Sequence, residues 1–148
     1  SYFLLYQIFM GNSPSIIQKA NYEDIQNLNS YSETILINTL SVNEQNCLIA
    51  NTINYNEEEN IINSLINNGN LNKKIIIYGK NYTDYSMYKK YEQFKQLGFT
   101  NVYIYVGGLF EWLCLQDIYS SDNFTTTSRE LDILKFKPSS NIQLQLLK

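Results

Sequence analysis

The stretch Lys74-Ile75-Ile76-Ile77-Tyr78 decides the predicted fold. A strand with one face in water alternates apolar and polar residues, whereas a strand covered on both faces is a continuous run of β-branched residues. Because this stretch is such a run, it is predicted to be a central strand with helices packed on both sides.

Predicted strands and helices alternate on both sides of this run. Further strands are expected at residues 15–18, 34–39, 48–53 and 101–106. Helices are expected at 22–28 after an Asn21 cap, from an Asn56 cap to residues 67–69, at 84–97 and 109–119, with a short one at 129–134. This alternation predicts an α/β fold with three layers, α/β/α, around a central, mainly parallel five-stranded sheet.

The composition fits one compact domain and excludes several chemistries. The chain has 148 residues and a formal net charge of −3, with 11 basic against 14 acidic residues. That balance argues against a dedicated nucleic-acid binder, which needs a dense cationic face. No histidine occurs in the sequence, which removes a histidine general base and the commonest zinc ligand. We predict neither a metal site nor a cofactor.

The two cysteines, Cys47 and Cys114, are too few for a disulfide scaffold. Both lie in apolar surroundings without an adjacent cation, so they are predicted to be buried thiols rather than reactive thiolates. This favours a reducing compartment and a cytoplasmic location. The chain also holds 20 Asn, 18 Ile and 13 Tyr but one Arg, which is typical of an AT-rich genome.

Residues 1–14 are predicted to be an N-terminal extension. Residues 1–9 are apolar, but no basic region precedes them, so they are not predicted to be a signal peptide. No run reaches the roughly 18–20 apolar residues that span a bilayer. Residues Met10–Ser15 match the N-myristoylation pattern, which would matter only if translation began at Met10.

A candidate site follows from the predicted sheet, because ligands of such sheets bind beyond the carboxyl ends of the strands. Those ends lead into residues 38–45, 79–83 and 107–108. The candidate residues are the loop Gly79, Lys80, Asn81, Tyr82, Thr83 and Asp84, with Asn38, Gly107 and Gly108 as a possible pocket rim.

Two charged residues of this loop have opposite effects on anion binding. Lys80 could attract an anion. A carboxylate at Asp84, the expected cap of the next helix, would instead take up the backbone amides that an anion needs. Tyr82 is the residue predicted to contact a partner, while Trp112 is predicted to anchor the core.

The segment from Ile75 to Trp112 resembles a known family. A buried strand, a short loop and a helix are followed by Leu97-Gly98-Phe99, Asn101-Val102-Tyr103, Gly107-Gly108 and Trp112. This order resembles a rhodanese domain. Upstream, Ile35–Leu40 is similar to the family's "L-I-D-V-R" strand, with Asn38 in place of Asp, and Cys47–Ile53 is similar to a degraded "H-I-P-G-A-I-N" stretch.

The resemblance covers residues 15–119 and leaves 120–148 as a C-terminal extension. The chain looks like divergent members from large DNA viruses and protists, and a viral origin would allow a place in the virion. The resemblance implies a sulfurtransferase site, in which a cysteine at the head of the loop after the central strand carries a persulfide. In this sequence no cysteine occurs between Cys47 and Cys114, and Asp84 stands near the place of the usual basic or hydroxyl residue.

Three functions are therefore weighed. The first is a catalytically inactive rhodanese-like domain that binds a protein partner or serves a structural role. The second is a sensor of anions or small ligands through the loop Gly79–Asp84, and the third is a sulfurtransferase that uses a displaced cysteine. A related phosphatase is disfavoured because the only arginine, Arg129, lies far downstream. The partner and the oligomeric state are left open.

Overall fold

The computed structural model describes residues 16–28 and 33–142. Its strands are β1 (Lys19–Ala20), β2 (Ile35–Asn38), β3 (Ile75–Tyr78) and β4 (Val102–Tyr105). Its α-helices are α1 (Tyr22–Gln26), α2 (Tyr55–Asn67), α3 (Tyr85–Gln96) and α4 (Gly108–Tyr119). Short 3-10 helices lie at Val42–Glu44 and Ile133–Phe136. The N-terminal extension up to residue 14 lies outside the described residues.

The strands form one parallel sheet in the order β1-β4-β3-β2. In the central strand β3, Ile75 pairs with Ile35 on one side and with Val102 on the other. Every β3 residue is buried, which confirms the prediction of a strand covered on both faces. One hydrophobic cluster joins the sheet to α1 and α4, and a second joins it to α2 and α3, so the three-layer α/β fold is confirmed.

The described residues contain a four-stranded sheet rather than the predicted five-stranded one. The stretch predicted as a strand at 48–53 forms only isolated bridges, Leu36 with Thr52 and Ile49 with Thr126. Between the two bridges Asn51 has a φ of 71°, in the left-handed region. A left-handed residue turns the chain and cannot continue a strand, which explains the difference.

The first strand lies later in the chain than predicted. It covers Lys19–Ala20 instead of residues 15–18, of which residue 15 lies outside the described part. Ile16 is 89% exposed, so nothing described covers the apolar residue that suggested a strand there. The carbonyl of Gln18 nevertheless accepts a hydrogen bond from the amide of Ile104 at 3.0 Å. The pairing with β4 therefore begins one residue before β1.

Helix starts follow the expected capping chemistry with one shift. Asn21 and Asp24 form a reciprocal capping box at α1, as a cap at Asn21 predicts. The cap of α2 is Asn54 rather than the predicted Asn56. The reason is local, because Asn54 has an extended backbone and its side chain accepts the amide of Asn56 at 2.9 Å.

The segment after α4 contributes side chains to the hydrophobic core beside the sheet. Phe124 and Phe136 are 3% and 2% exposed and belong to the same hydrophobic cluster as Trp112, the predicted core anchor. The indole nitrogen of Trp112 donates to the carbonyl of Thr125 at 3.1 Å. The short helix predicted at 129–134 is wrong in position, since a 3-10 helix forms at Ile133–Phe136 around the buried Phe136. The domain boundaries at 14 and 119 stay predictions.

Candidate functional site

The loop Gly79–Asp84 lies at the carboxyl end of β3 and packs against the start of α4. The carbonyls of Gly79 and Lys80 accept the amides of Leu109 and Phe110 at 2.9 and 2.8 Å. Gly108 has a φ of +68°, and a Cβ there would lie 2.6 Å from the Gly79 carbonyl oxygen. Only glycine combines that backbone with so close a contact. Gly108 therefore lies directly against the backbone of the loop.

Gly107, the other predicted rim glycine, faces the side chain of Glu111. Its backbone is helical, with a φ of −61°, so it needs no left-handed conformation. A Cβ on Gly107 would overlap the Glu111 side chain. The structure thus gives the glycine pair a packing role at the turn into α4.

The Asp84 side chain is turned into the loop. One carboxylate oxygen, Oδ2, accepts the backbone amide of Lys80 at 2.9 Å. The other, Oδ1, accepts the amide of Ser86 at 3.0 Å and its hydroxyl at 2.6 Å. Asp84 is thus the N-cap of α3, as predicted, and it also ties the two ends of the loop together.

A Cβ at Gly79 would lie 2.5 Å from Asp84 Oδ2 and 3.0 Å from the Thr39 hydroxyl oxygen. Thr39 Oγ1 in turn lies 2.7 Å from the Ser86 hydroxyl oxygen. Gly79 is the first residue after β3, so the head of the loop has no room for a side chain beside this carboxylate and its hydroxyl partners. Neither Thr39, within the segment 38–45, nor Ser86 was among the predicted site residues, because the only sequence signal for this cluster is the cap position of Asp84.

Asn81 fixes the loop by hydrogen bonds within it and to the C-terminal segment. It is 6% exposed, and its side-chain oxygen accepts the amide of Thr83 at 2.9 Å and the Thr83 hydroxyl. Its side-chain nitrogen donates to the carbonyl of Phe136 at 2.9 Å. The loop is therefore fastened to the C-terminal segment, a contact across 55 positions that no local pattern could have predicted.

The charge of Lys80 is paired. Its ammonium nitrogen lies 2.9 Å from a carboxylate oxygen of Glu44, in the 3-10 helix after β2. Burial would raise the pKa of Glu44, but hydrogen bonds from Lys80 and Ser41, with the charge of Lys80, outweigh burial and lower that pKa. Glu44 is therefore ionised at neutral pH, and Lys80 pairs with this carboxylate instead of offering an unpaired charge to an anion.

Asn38, the third predicted rim residue, is used for structure. It is 5% exposed, and its side-chain oxygen accepts the amide of Leu40 at 3.0 Å and the side-chain nitrogen of Gln45 at 2.8 Å. These bonds close the turn after β2. Asn38 consequently presents its amide to this turn and not to the loop.

Three exposed side chains with apolar surface belong to the loop or to the elements next to it. Tyr82 is 62% exposed and Tyr85, one residue past the Asp84 cap, is 77% exposed. Val42, 66% exposed, belongs to the 3-10 helix that the ion pair of Glu44 holds beside the loop. We call Val42, Tyr82 and Tyr85 the mouth face.

Neither cysteine lies in the loop. Cys47 is buried, and its thiol donates to the carbonyl of Ser128 at 3.3 Å. Cys114 lies on α4 and is half-buried. Burial raises the pKa of both thiols, and the carboxylates of Asp117 and Glu111 raise that of Cys114 further. Both are therefore protonated thiols at neutral pH.

Two absences hold for the part of the chain that the structure describes. No group of three or more potential metal-ligating side chains occurs in residues 16–28 and 33–142. Across the same residues no helix is both long enough and apolar enough to cross a membrane.

Comparison with known proteins agrees with this geometry. Residues 18–114 match the family model described as a rhodanese-like domain. No curated protein matches the sequence. Among solved structures, the BH2092 protein from Bacillus halodurans is similar with a TM-score of 0.57 and 19% identity, over 100% of both chains. The Alr3790 protein from Anabaena sp. is similar with a TM-score of 0.52 and 15% identity, over 65% of this chain and 86% of that one. At these identities the two structures support the fold alone.

Proposed function

The chain belongs to the rhodanese-like family, and from this membership we propose that it is a member without sulfurtransferase activity that acts by binding a protein partner. The observation that carries the proposal is the Asp84 carboxylate inside the loop, 2.9 Å from the Lys80 amide. A persulfide is an anion and needs such amides free. Here a fixed negative charge already holds one of them.

The head of the loop supports the same conclusion. Gly79 provides no sulfur, and a cysteine there would place its Cβ 2.5 Å from Asp84 Oδ2. Even if the clash were relieved, the adjacent carboxylate would raise the pKa of the new thiol and disfavour the thiolate that sulfur transfer requires.

A displaced cysteine is less well supported. The buried Cys47 thiol is bonded to the Ser128 carbonyl, and Cys114 lies on α4 between two carboxylates that disfavour its thiolate. Sulfur transfer through either would require an accessible thiolate.

The anion sensor is also less well supported, because the cation of the loop and one of the loop amides are engaged. The Lys80 ammonium is paired with Glu44 at 2.9 Å, and the Lys80 amide is bonded to Asp84. An NMR titration with sulfate or phosphate decides this alternative. We expect the amide signals of residues 80–84 to stay unmoved at millimolar anion, and a saturable shift confined to them would favour the sensor.

The mouth face provides the surface for docking. Tyrosines supply large contact areas at a low entropic cost and are enriched at protein interfaces. Tyr82 lies in the loop and Tyr85 follows its last residue, and hydrogen bonds of Asp84 and Asn81 fix this loop. A fixed loop with exposed tyrosines is pre-organised for binding, which lowers the entropy lost on association.

Thiosulfate-to-cyanide sulfur transfer tests the catalytic half of the proposal. The full chain should show no turnover above the rate without protein, and the Cys47→Ser and Cys114→Ser variants should be indistinguishable from it. Turnover by the unmodified chain that disappears in one of these variants would overturn the proposal and identify the thiol.

Site-specific photo-crosslinking tests the docking half. A photoreactive phenylalanine analogue in place of Tyr82 should give a discrete cross-linked product in an extract of the source cells. The same analogue in place of Leu97, which is exposed at the end of α3, is the matched control and should not give it. Unlabelled full chain should compete with the cross-link and the Tyr85→Ala variant should compete poorly. Equal cross-linking from both positions would contradict docking at the mouth face.

A further inference from the structure

A cleft of about 390 Å³ lies at the carboxyl end of β2, between α2 and α3. Its lining includes Leu40, which follows β2, the side chains of Tyr55 and Glu58 on α2, and those of Lys89 and Gln93 on α3. Ligands of parallel sheets bind beyond the carboxyl ends of the strands, so the cleft lies where a binding site is expected. None of these five residues belongs to the loop or to the mouth face.

Contacts between the elements around the cleft fix its shape. The carboxylate of Glu58 on α2 forms an ion pair with the ammonium group of Lys90 on α3, and both residues line the cleft and are half-buried. Thr39 and Ser86 also line it, and their hydroxyl oxygens lie 2.7 Å apart. The cleft is therefore formed before anything binds, as ligand sites usually are.

Three polar groups at the cleft are left without a partner. The Tyr55 hydroxyl, the Lys89 ammonium group and the Gln93 amide make no side-chain hydrogen bond or ion pair among the described residues. Glu58 is the one carboxylate in the described lining, and Lys90 neutralises it, so the charge of Lys89 is not compensated within the cleft. A carboxylate fits these groups, because all three can donate a hydrogen bond to it and one is a cation.

The cleft continues the mouth face along α3. Tyr85, Lys89 and Gln93 are each four residues apart and all exposed, so their side chains form one row on the helix surface. The row begins in the mouth face with Tyr85 and reaches the cleft with Lys89. Four helical residues span about 6 Å, which is the length of about two residues of an extended chain. An extended segment on the tyrosines therefore reaches the cleft two positions further on.

From these observations we propose that the mouth face and this cleft together bind an extended acidic segment of the partner protein. An apolar side chain of the segment packs on Tyr82 and Tyr85. The carboxylate two positions further on enters the cleft, where it pairs with Lys89 and accepts hydrogen bonds from Tyr55 and Gln93. This inference rests on the proposed docking role and names the chemistry that the docking surface recognises.

An NMR titration of the full chain with three synthetic peptides tests the proposal. The first peptide carries one leucine and, two positions on, one glutamate, between glycines and serines. Glutamine replaces the glutamate in the second, and lysine replaces it in the third. The glutamate peptide should shift the amide signals of residues 82–93 saturably. The glutamine peptide should bind severalfold more weakly and the lysine peptide about tenfold more weakly, because an exposed ion pair contributes modestly and a like charge repels. Equal affinities, or no saturable shift with the glutamate peptide, overturn the proposal.

Charge reversal locates the carboxylate. Lys89→Glu should weaken binding of the glutamate peptide about tenfold and reverse the preference, so that the lysine peptide binds better. The matched control is Lys95→Glu, the same change at an exposed lysine of the same helix, and it should keep the original preference. An equal effect of both variants would show only long-range attraction and would overturn the assignment to the cleft.

The tyrosine hydroxyl has its own readout. Tyr55→Phe should weaken binding of the glutamate peptide about two- to fivefold, because one hydrogen bond to a carboxylate is lost. It should leave binding of the glutamine peptide less affected. Tyr119→Phe removes the same hydroxyl from an exposed tyrosine on α4 and should change neither affinity. Equal losses in the two variants would contradict a carboxylate held in the cleft.

Sedimentation velocity distinguishes a second copy of this chain from another protein as the source of the carboxylate. Self-association that Lys89→Glu abolishes would assign the cleft to a second copy and overturn the proposal. The outcome is also separable from that of the proposed function. Thiosulfate-to-cyanide turnover would overturn the proposed function and leave these affinities standing, whereas specific cross-linking at Tyr82 together with equal peptide affinities would keep the docking role and remove the acidic segment.

Discussion

The carboxylate of Asp84 accepts the backbone amide of Lys80 at 2.9 Å, inside the loop that follows the central strand. The same oxygen would lie 2.5 Å from a Cβ on Gly79. One side chain therefore fills the loop and also determines that its first residue is glycine.

A double-mutant cycle measures this exclusion. Gly79→Ala should destabilise the chain by about 1–3 kcal/mol, because the added methyl group meets the carboxylate. Asp84→Ala should cost about 1 kcal/mol through the lost helix cap. In the Asp84→Ala background the cost of Gly79→Ala should fall by about 1 kcal/mol or more. Urea unfolding of the four proteins gives the coupling, and purely additive costs would mean that the carboxylate does not exclude the side chain.

The next prediction concerns the hydrogen bonds by which Asn81 fixes the loop. Asn81→Ala should cost about 1–3 kcal/mol, because it leaves the buried carbonyl of Phe136 without its donor and removes the oxygen that accepts from Thr83. Asn60→Ala, at an exposed position of α2, removes the same amide and should change stability by no more than about 0.5 kcal/mol. Chemical denaturation compares the two, and similar costs would contradict a structural role for Asn81.

Two buried tyrosines should respond oppositely to loss of the hydroxyl group. The Tyr78 hydroxyl oxygen accepts the amide of Ile49 at 3.2 Å and lies 2.7 Å from the Thr52 hydroxyl. Tyr78→Phe should therefore cost about 1–3 kcal/mol by leaving a buried amide unpaired. The hydroxyl of Tyr105 is buried and makes no hydrogen bond of standard geometry among the described residues. Burial, and after it the nearby Glu111 carboxylate, raises the pKa of Tyr105, but without a well-formed bond to lose Tyr105→Phe should be neutral or stabilising. Thermal unfolding separates the variants, and a larger loss for Tyr105→Phe would contradict this account.

The fold was predictable where a residue's own chemistry decides the local structure. The uninterrupted apolar run at β3 and the cap at Asp84 needed no tertiary knowledge. The predicted strand at 48–53 failed because Asn51 adopts a left-handed backbone, a choice that its sequence neighbours do not reveal. The bond from Asn81 to Phe136 depends on a chain return across 55 positions, so only the folded structure shows that the loop is fastened.

The ion pair between Glu44 and Lys80 makes the stability of the chain depend on pH, and the direction of this dependence follows from the pKa of Glu44. Burial acts to raise the pKa of Glu44, but hydrogen bonds from Lys80 and Ser41 and the charge of Lys80 outweigh it, so the folded pKa lies below the ordinary value of 4.5. A carboxylate with a lowered folded pKa stabilises the fold above its unfolded pKa, and this stability is lost as the pH falls through the folded value. The Lys80 side chain is 38% exposed, so solvent screening limits the contribution to about 1 kcal/mol or less.

Glu44→Gln should therefore be less stable than the unmodified chain at neutral pH, and the difference should shrink as the pH falls below about 4.5. Glu59→Gln, at an exposed position of α2 beyond its first turn and outside any ion pair among the described residues, removes the same charge and accounts for the effect of net charge. Urea midpoints across the acid range measure both variants. A difference for Glu44→Gln that grew toward low pH would reverse the sign and contradict an engaged Lys80, and with it the argument that the loop has no cation free for an anion.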